Sequence, residues 1–312
     1  MIKPAVLIIG FNRPQMLQER LRAIEPLVDR DIAIYISIDG PRDGNLSDES
    51  ARNLISKQIE ESPISNSISK WFSLTNSGCD IHIFNSITKV LKTNDSVVVI
   101  EDDIEISASA VIELLDRARE TFELGLLNPI VAMSGLSRRI PGQVNNWRES
   151  EYFSAWGFAL NAHFWSLHSK NVKIVDPNEI ERKLKASSNW KRLSKRKRYI
   201  WFERISRSNY DYAIQRTLFF EELQTIAPVH RISNNVGHGI AGSSHTRFKT
   251  PWFLRYSVIE NNDRFNRELI QNRLIIRVLK WLDSQTWAGD GLLSVRGRTT
   301  GVRTILKQII HK

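Results

Sequence analysis

Long apolar runs and helical stripes alternate along the first 125 residues. Pro4-Ala5-Val6-Leu7-Ile8-Ile9-Gly10, Ile32–Ile38 and Val97-Val98-Val99-Ile100 are close to continuous in apolar character. That pattern suits strands covered on both faces of a mostly parallel sheet; strict alternation would mark a face open to water. Elsewhere apolar positions recur three and four residues apart: Leu17, Leu21, Ile24 and Val28, then Ile83, Ile87, Val90 and Leu91, then Val111, Leu114, Leu115, Ala118 and Phe122. Each set makes one amphipathic helical face. Asn12 is the expected N-cap of the first helix, with Pro14 in its first turn, and Ser107 caps the helix after the third strand. Residues 45–70 read as irregular helix and Leu74–Cys79 as a loop. Strand–helix–strand units imply right-handed crossovers and parallel strands. The expected fold class is α/β, a mostly parallel mixed sheet flanked by helices.

The second half is less regular. Ile130–Gly135 and the aromatic-rich Tyr152–Leu160 read as strands, and a helix holding Phe164 and Trp165 starts near Asn161. Tyr210-Asp211 opens a helix with Ala213, Ile214, Leu218 and Phe219 as its apolar positions. Ala227–Ile232 is a further strand, followed by small residues around His238 and His245. Arg182–Arg207 carries eleven Lys or Arg against one acid, Glu203, with Trp190, Tyr199, Trp201 and Phe202 interleaved. Such a stretch suits an anionic glycan or phospholipid surface, or a solvated active-site loop. No DNA- or RNA-binding signature accompanies it, which disfavours nucleic acid. Beyond residue 250 the chain is basic and helical, and a Gly-rich link at 289–301 precedes a stripe of Val302, Ile305, Leu306 and Ile309. That stripe either packs on the rest of the chain or lies in an anionic membrane interface.

Composition narrows the partners. A net charge of +10 on 312 residues favours anionic ligands or surfaces. A single cysteine, Cys79, excludes an internal disulfide framework and fits a reducing compartment. No apolar run approaches the ~18 residues of a membrane span, and the apolar start lacks a signal peptide's cleavage region. The expected location is cytoplasmic, with the C-terminal stripe as the means of peripheral attachment to the inner face of a membrane.

The candidate chemistry is Glu101-Asp102-Asp103, where the third strand ends. Ligands bind at the carboxyl ends of strands in open α/β sheets. Three adjacent carboxylates repel one another unless a cation or a set of donors compensates them. Hard oxygen ligands suit Mg²⁺ or Mn²⁺, completed by water and substrate phosphates; the alternative is a solvated acidic turn. No GxGxxG or GxxxxGK[ST] loop is present, which argues against dinucleotide binding and P-loop chemistry.

Three stretches, V-L-I-I-G-F-N-R-P at 6–14, S-I-D-G at 37–40 and V-V-V-I-E-D-D-I-E at 97–105, together resemble the nucleotide-sugar glycosyltransferases of the GT-A fold type. The first two are similar to bacterial family 2 enzymes. The third is closer to the E-D-D form of the DxD motif in N-acetylglucosaminyltransferase I. The resemblance implies a catalytic domain over 1–250, with a nucleotide-binding half at 1–125 and an acceptor half at 126–250, followed by a basic helical extension at 251–312. It further implies Mn²⁺ or Mg²⁺ on Asp103, with His238 as a second ligand or a donor to phosphate, and His245 open to the same roles. Glu101 and Asp102 fall on the ribose side, Asp39 at the nucleotide base, and Phe11, Asn12 and Arg13 in the loop beside it. Asp211 corresponds to the general base, unless it is a plain helix cap, with Glu221 and Glu222 as fallbacks. Trp156-Gly157 corresponds to the sugar and acceptor cleft, although Trp156 also reads as a core aromatic. The implied activity is transfer from a nucleoside diphosphate sugar, UDP expected, to a glycan or lipid-linked acceptor with inversion, in surface polysaccharide or glycoconjugate synthesis. A sugar nucleotidyltransferase, or an inactive carbohydrate- or phospholipid-binding relative, is the alternative.

Overall fold

The computed structural model describes residues 3–133, 147–206, 209–229 and 231–237. His238, His245 and the whole expected extension 251–312 lie outside the described residues. The nucleotide-side elements are β1 (Ala5–Gly10), α1 (Pro14–Ile24), β2 (Ala33–Ile38), α2 (Leu46–Glu60), β3 (Ile68–Phe72), α3 (Cys79–Val90), β4 (Ser96–Glu101), β5 (Ile104–Ile106) and α4 (Ala108–Glu123). There follow β6 (Ile130–Val131), β7 (Trp147–Ser150), β8 (Phe158–Asn161), α5 (Ala162–Asn171), α6 (Pro177–Ala186), α7 (Ser188–Arg192), α8 (Lys195–Ile205), α9 (Tyr210–Phe220), β9 (Thr225–Pro228) and β10 (Ser233–Asn235).

Among the described residues the main sheet has the order β3-β2-β1-β4-β8-β6-β9-β7. Strands β3, β2, β1 and β4 are mutually parallel, β8 runs against both its neighbours, and β7 runs against β9. This is the mostly parallel, helix-flanked α/β sheet that the apolar pattern predicts. Every residue of β1 is buried, and its side chains divide by parity. Val6 and Ile8 join Val98 and Ile100 under α1, α2 and α4, whereas Ala5, Leu7 and Ile9 join Val97 and Val99 under α3, α5 and α9. Register then fixes the working edge. Gly10 pairs with Ile38 and Ile9 with Glu101, so β1, β2 and β4 all end at one level. The polar residues that follow each strand meet there.

Four expectations need correction. The irregular helix expected over 45–70 is α2 followed by the short edge strand β3, whose Ser69 and Lys70 are exposed. The strand expected over 152–160 is only β8, because Gly157 turns the chain at φ 83° just before it. Asn12 does not cap α1. The capping position is Arg13, which makes no side-chain cap, while the Asn12 amide donates to buried Asp48 Oδ1 at 2.7 Å. Finally, the basic stretch 182–207 is no solvated loop. Its residues up to 205 lie in α6, α7, α8 and the short turns between them, where Ile180, Leu184, Trp190, Leu193, Trp201 and Ile205 form a third core with Tyr152 and Phe219. The basic heads project from that core, with Arg182 and Lys185 largely in solvent.

Candidate active site

After β4 the chain turns through Asp102 and Asp103 into β5, which pairs with β10. Arg20 of α1 is buried and donates to the Ile104 carbonyl, holding the exit of this turn. Arg13, at the N-terminus of the same helix, forks across the two acids: Nη2 lies 2.7 Å from Asp102 Oδ1 and Nη1 2.8 Å from Asp103 Oδ2. Burial alone would lower the Arg13 pKa, and the charges of Asp102 and Asp103 more than reverse that. Asp102 is 1% exposed, and burial pushes its carboxyl up to about 7 against the pull of Arg13. Glu101 is also held well above the usual carboxylate range, by burial and then by Asp103. Asp103 is 7% exposed, and its second oxygen, Oδ1, has no hydrogen-bond partner.

These groups floor a cleft of about 280 Å³, with Phe11, Asp39, Arg42, Asn76, Cys79 and His82 in its walls. Asp39 is 5% exposed and builds one wall. Its carboxylate accepts from the amides of Gly40, Ser77 and Gly78, the Ser77 hydroxyl and the Asn76 side chain, all at 2.9–3.1 Å. Across the mouth, the Arg42 guanidinium sits 5.5 Å from the Phe11 ring centre and pairs with Asp48, whose carboxyl it holds down at about 2. Asn12 is absent from this lining and braces Asp48 from below. Cys79 is exposed at the rim, and desolvation, then the charge of Glu101, pushes its thiol upward. Gly40 permits the wall to close: a Cβ there would lie 2.7 Å from Asn76 N and nearer still to the Thr75 carbonyl. Gly40→Ala is expected to cost about 1–3 kcal/mol by overpacking, a fall in Tm of roughly 2–12 °C readable by calorimetry. An unchanged Tm would mean that the 75–78 loop is not held in this position.

Helix α9 approaches from the other half. The Tyr210 hydroxyl donates to Glu101 Oε1 at 2.6 Å and its amide to Asp80 Oδ1 at 2.7 Å. Sequence reading did not single out Tyr210 or Asp80 as site residues, since their partners lie 109 and 130 positions away. Tyr210→Phe leaves the half-buried Glu101 carboxyl group short of a hydrogen-bond donor. It is expected to lower unfolding stability by about 1–3 kcal/mol in urea, and a loss near zero would show Glu101 to be satisfied otherwise. Asp211 follows on the first turn and shares a cavity of about 70 Å³ with Trp156, Trp201 and Arg204. Trp156 is half-buried against the sheet core and also lines this cavity. Gly157 lets β5 and β6 close in, since a Cβ there would meet Ala132 at 3.3 Å and Ile104 at 3.6 Å. The fallback bases are misplaced: Glu221 accepts from Asn171 and Glu222 from Ser188 at the far end of α9, roughly 15 Å along the axis from Asp211.

Among the described residues, no group of three or more His, Cys, Asp or Glu side chains is arranged to hold a metal ion. Asp103 nonetheless lines the cleft and keeps one buried carboxylate oxygen without a hydrogen-bond partner. Gly237 packs directly on this acid; a Cβ on it would come within 2.9 Å of Asp103 Cβ, and the Val236 amide donates to the Asp103 carbonyl. A buried carboxylate oxygen without a partner, on a residue that lines a space for ligand, suits Mg²⁺ or Mn²⁺, which take few protein ligands when phosphates complete the shell. Among the described residues no helix is long and apolar enough to cross a membrane.

No family model matches the sequence, and no curated protein matches it. Solved structures are similar over part of the chain. A mannosyltransferase from Pyrobaculum calidifontis in complex with GDP-Man and Mn²⁺ is 12% identical at a TM-score of 0.36 over 54% of this chain and 46% of its own. The galactosyltransferase LgtC in complex with donor and acceptor sugar analogues is 14% identical at a TM-score of 0.33, covering 70% of this chain and 72% of that one. A 4-diphosphocytidyl-2C-methyl-D-erythritol synthase from Anaerococcus prevotii is 10% identical at 0.36, over 54% and 74%. The chain thus spans less than half the length of the mannosyltransferase. Similarity at this level assigns neither family nor activity.

Proposed function

We propose that this chain is a GT-A-type glycosyltransferase that moves a sugar from a nucleoside diphosphate donor, with UDP expected, to a glycan or lipid-linked acceptor with inversion. One observation carries the reading: a buried acid with a free oxygen, Asp103, floors a cleft at the carboxyl edge of β1, β2 and β4. The three matching sequence stretches flank that same cleft. Asp103 is the residue that would hold Mn²⁺ or Mg²⁺; His238 lies outside the described residues. Bound there, the metal would neutralise the diphosphate leaving group. Arg13 supplies positive charge to the same region, and Asp102 and Glu101 take the ribose side. Asp39 acts by fixing the 76–78 wall beside the base, with Phe11 and Arg42 as the opposite lip. Asp211 accepts the proton of the acceptor hydroxyl as its oxygen bonds to the anomeric carbon and the bond to the diphosphate breaks. Trp156 offers its indole to the acceptor sugar. The Tyr210–Glu101 hydrogen bond, which joins residues of the two segments, supports a nucleotide half at 1–125 and an acceptor half at 126–250.

The test is product identity. Incubated with a panel of UDP- and GDP-sugars and Mn²⁺, the protein should release nucleoside diphosphate, and chelation by EDTA should stop it. Pyrophosphate formed from a nucleoside triphosphate and a sugar phosphate would instead establish a nucleotidyltransferase. Saturable nucleotide-sugar binding with no turnover in the presence of acceptor would leave a binding protein.

A further inference from the structure

Arg13 is placed unusually for a residue whose only task is to contact a donor. Both of its terminal nitrogens are committed to the acid pair, at 2.7 and 2.8 Å, and its side chain is only 17% exposed. The guanidinium therefore bridges two carboxylates through one charge-assisted hydrogen bond to each. The oxygen it holds on Asp103, Oδ2, belongs to the same carboxylate whose Oδ1 is free. A divalent cation drawn to Oδ1 would therefore face a guanidinium on the other arm of its own ligand. Within a few ångströms and largely out of water, that repulsion is considerable.

We infer that Arg13 is the resident cation of this site: it holds Asp102 and Asp103 together in the free protein, excludes a divalent ion from them, and yields to that ion only when an anionic donor arrives. The inference rests on the transferase reading and adds an order to it. A donor diphosphate offers the guanidinium fork a better partner than a carboxylate it must share. Once Arg13 turns to the phosphates, Asp103 is released to the metal, and the metal and the phosphates complete one another's coordination. Metal and donor thus bind as one coupled event.

The experiment measures Mn²⁺ binding to the full chain by the loss of its free electron paramagnetic resonance signal, with and without saturating UDP or GDP. Wild type should bind Mn²⁺ weakly alone and at least ~10-fold more tightly with the nucleotide. Arg13→Met should bind Mn²⁺ without nucleotide at least ~10-fold more tightly than wild type, and nucleotide should then add little. Arg13→Lys keeps the charge without the fork and should fall between them; it also serves if the methionine variant fails to fold. Wild type showing the nucleotide-coupled gain while neither variant gains nucleotide-free affinity would overturn the inference and leave the transferase reading standing. Absence of Mn²⁺ and nucleotide binding from wild type and variants alike would sink both.

Discussion

Asp103→Asn is expected to cut sugar transfer by at least ~10³-fold while the protein stays folded. The reasoning is electrostatic. The asparagine keeps the shape of the side chain but has one neutral carbonyl oxygen in place of a charged carboxylate, so the unpartnered acidic oxygen of Asp103 is lost. Several kcal/mol of leaving-group stabilisation goes with it, and each ~1.4 kcal/mol is tenfold in rate. Stability should change little, because Arg13 retains Asp102 at 2.7 Å and the cluster loses one of its mutually repelling charges. Turnover of a nucleotide-sugar with Mn²⁺, read beside a thermal melt, decides it. Near wild-type activity in a folded Asp103→Asn protein would remove the observation on which the functional reading stands.

That acid could be found from sequence because two rules agree on it. Val97–Ile100 is too continuously β-branched to be a surface strand, and strand ends in parallel sheets are where ligands sit. The register of β1 against β2 and β4 then brings residues 11–13, 39–40 and 102–103 to one edge, as parallel crossovers require. What the sequence hides is anything decided by long-range pairing. Nothing local says that Arg13 will fork two acids 89 and 90 residues away, or that Tyr210 will reach Glu101. Asn12 was placed as a cap on local preference, and a buried tertiary partner, Asp48, outcompeted that role. The stretch 182–207 misled for a different reason. Its charge dominates its composition, yet Leu184, four residues after Ile180, and Trp201 and Ile205, also four apart, sit at the helical spacing that buries one face. The spacing of the apolar positions, rather than the run of basic ones, marks α6 and α8.

Asp211→Asn should lower transfer by at least ~10²-fold, the usual scale for loss of a general base, with donor affinity kept. The structure adds a second readout that separates a base from a helix cap. Burial pushes the Asp211 carboxyl up to about 6, against the Tyr212 amide; Asp80 of α3 adds to the rise and Arg204 of α8 opposes it. On the acid side the rate should therefore fall about tenfold per pH unit below roughly 6. The sign for stability is the reverse of an ordinary carboxylate. A folded value above the unfolded ~3.9 means that the native state holds this proton more tightly. The contribution is favourable at low pH and is lost as pH rises through about 6, so the ionised group costs up to about 3 kcal/mol at neutral pH. Asp211→Asn should thus match wild type in Tm near pH 4 and exceed it near pH 8. A carboxylate serving chiefly as a cap at the start of α9 would behave oppositely, losing its charge–dipole interaction and melting lower at pH 8. Reduced rate with raised stability at pH 8 identifies a buried group kept for chemistry. Full activity with lowered stability would make Asp211 a cap, and because Glu221 and Glu222 sit at the other end of the helix, the base would then have to come from outside α9.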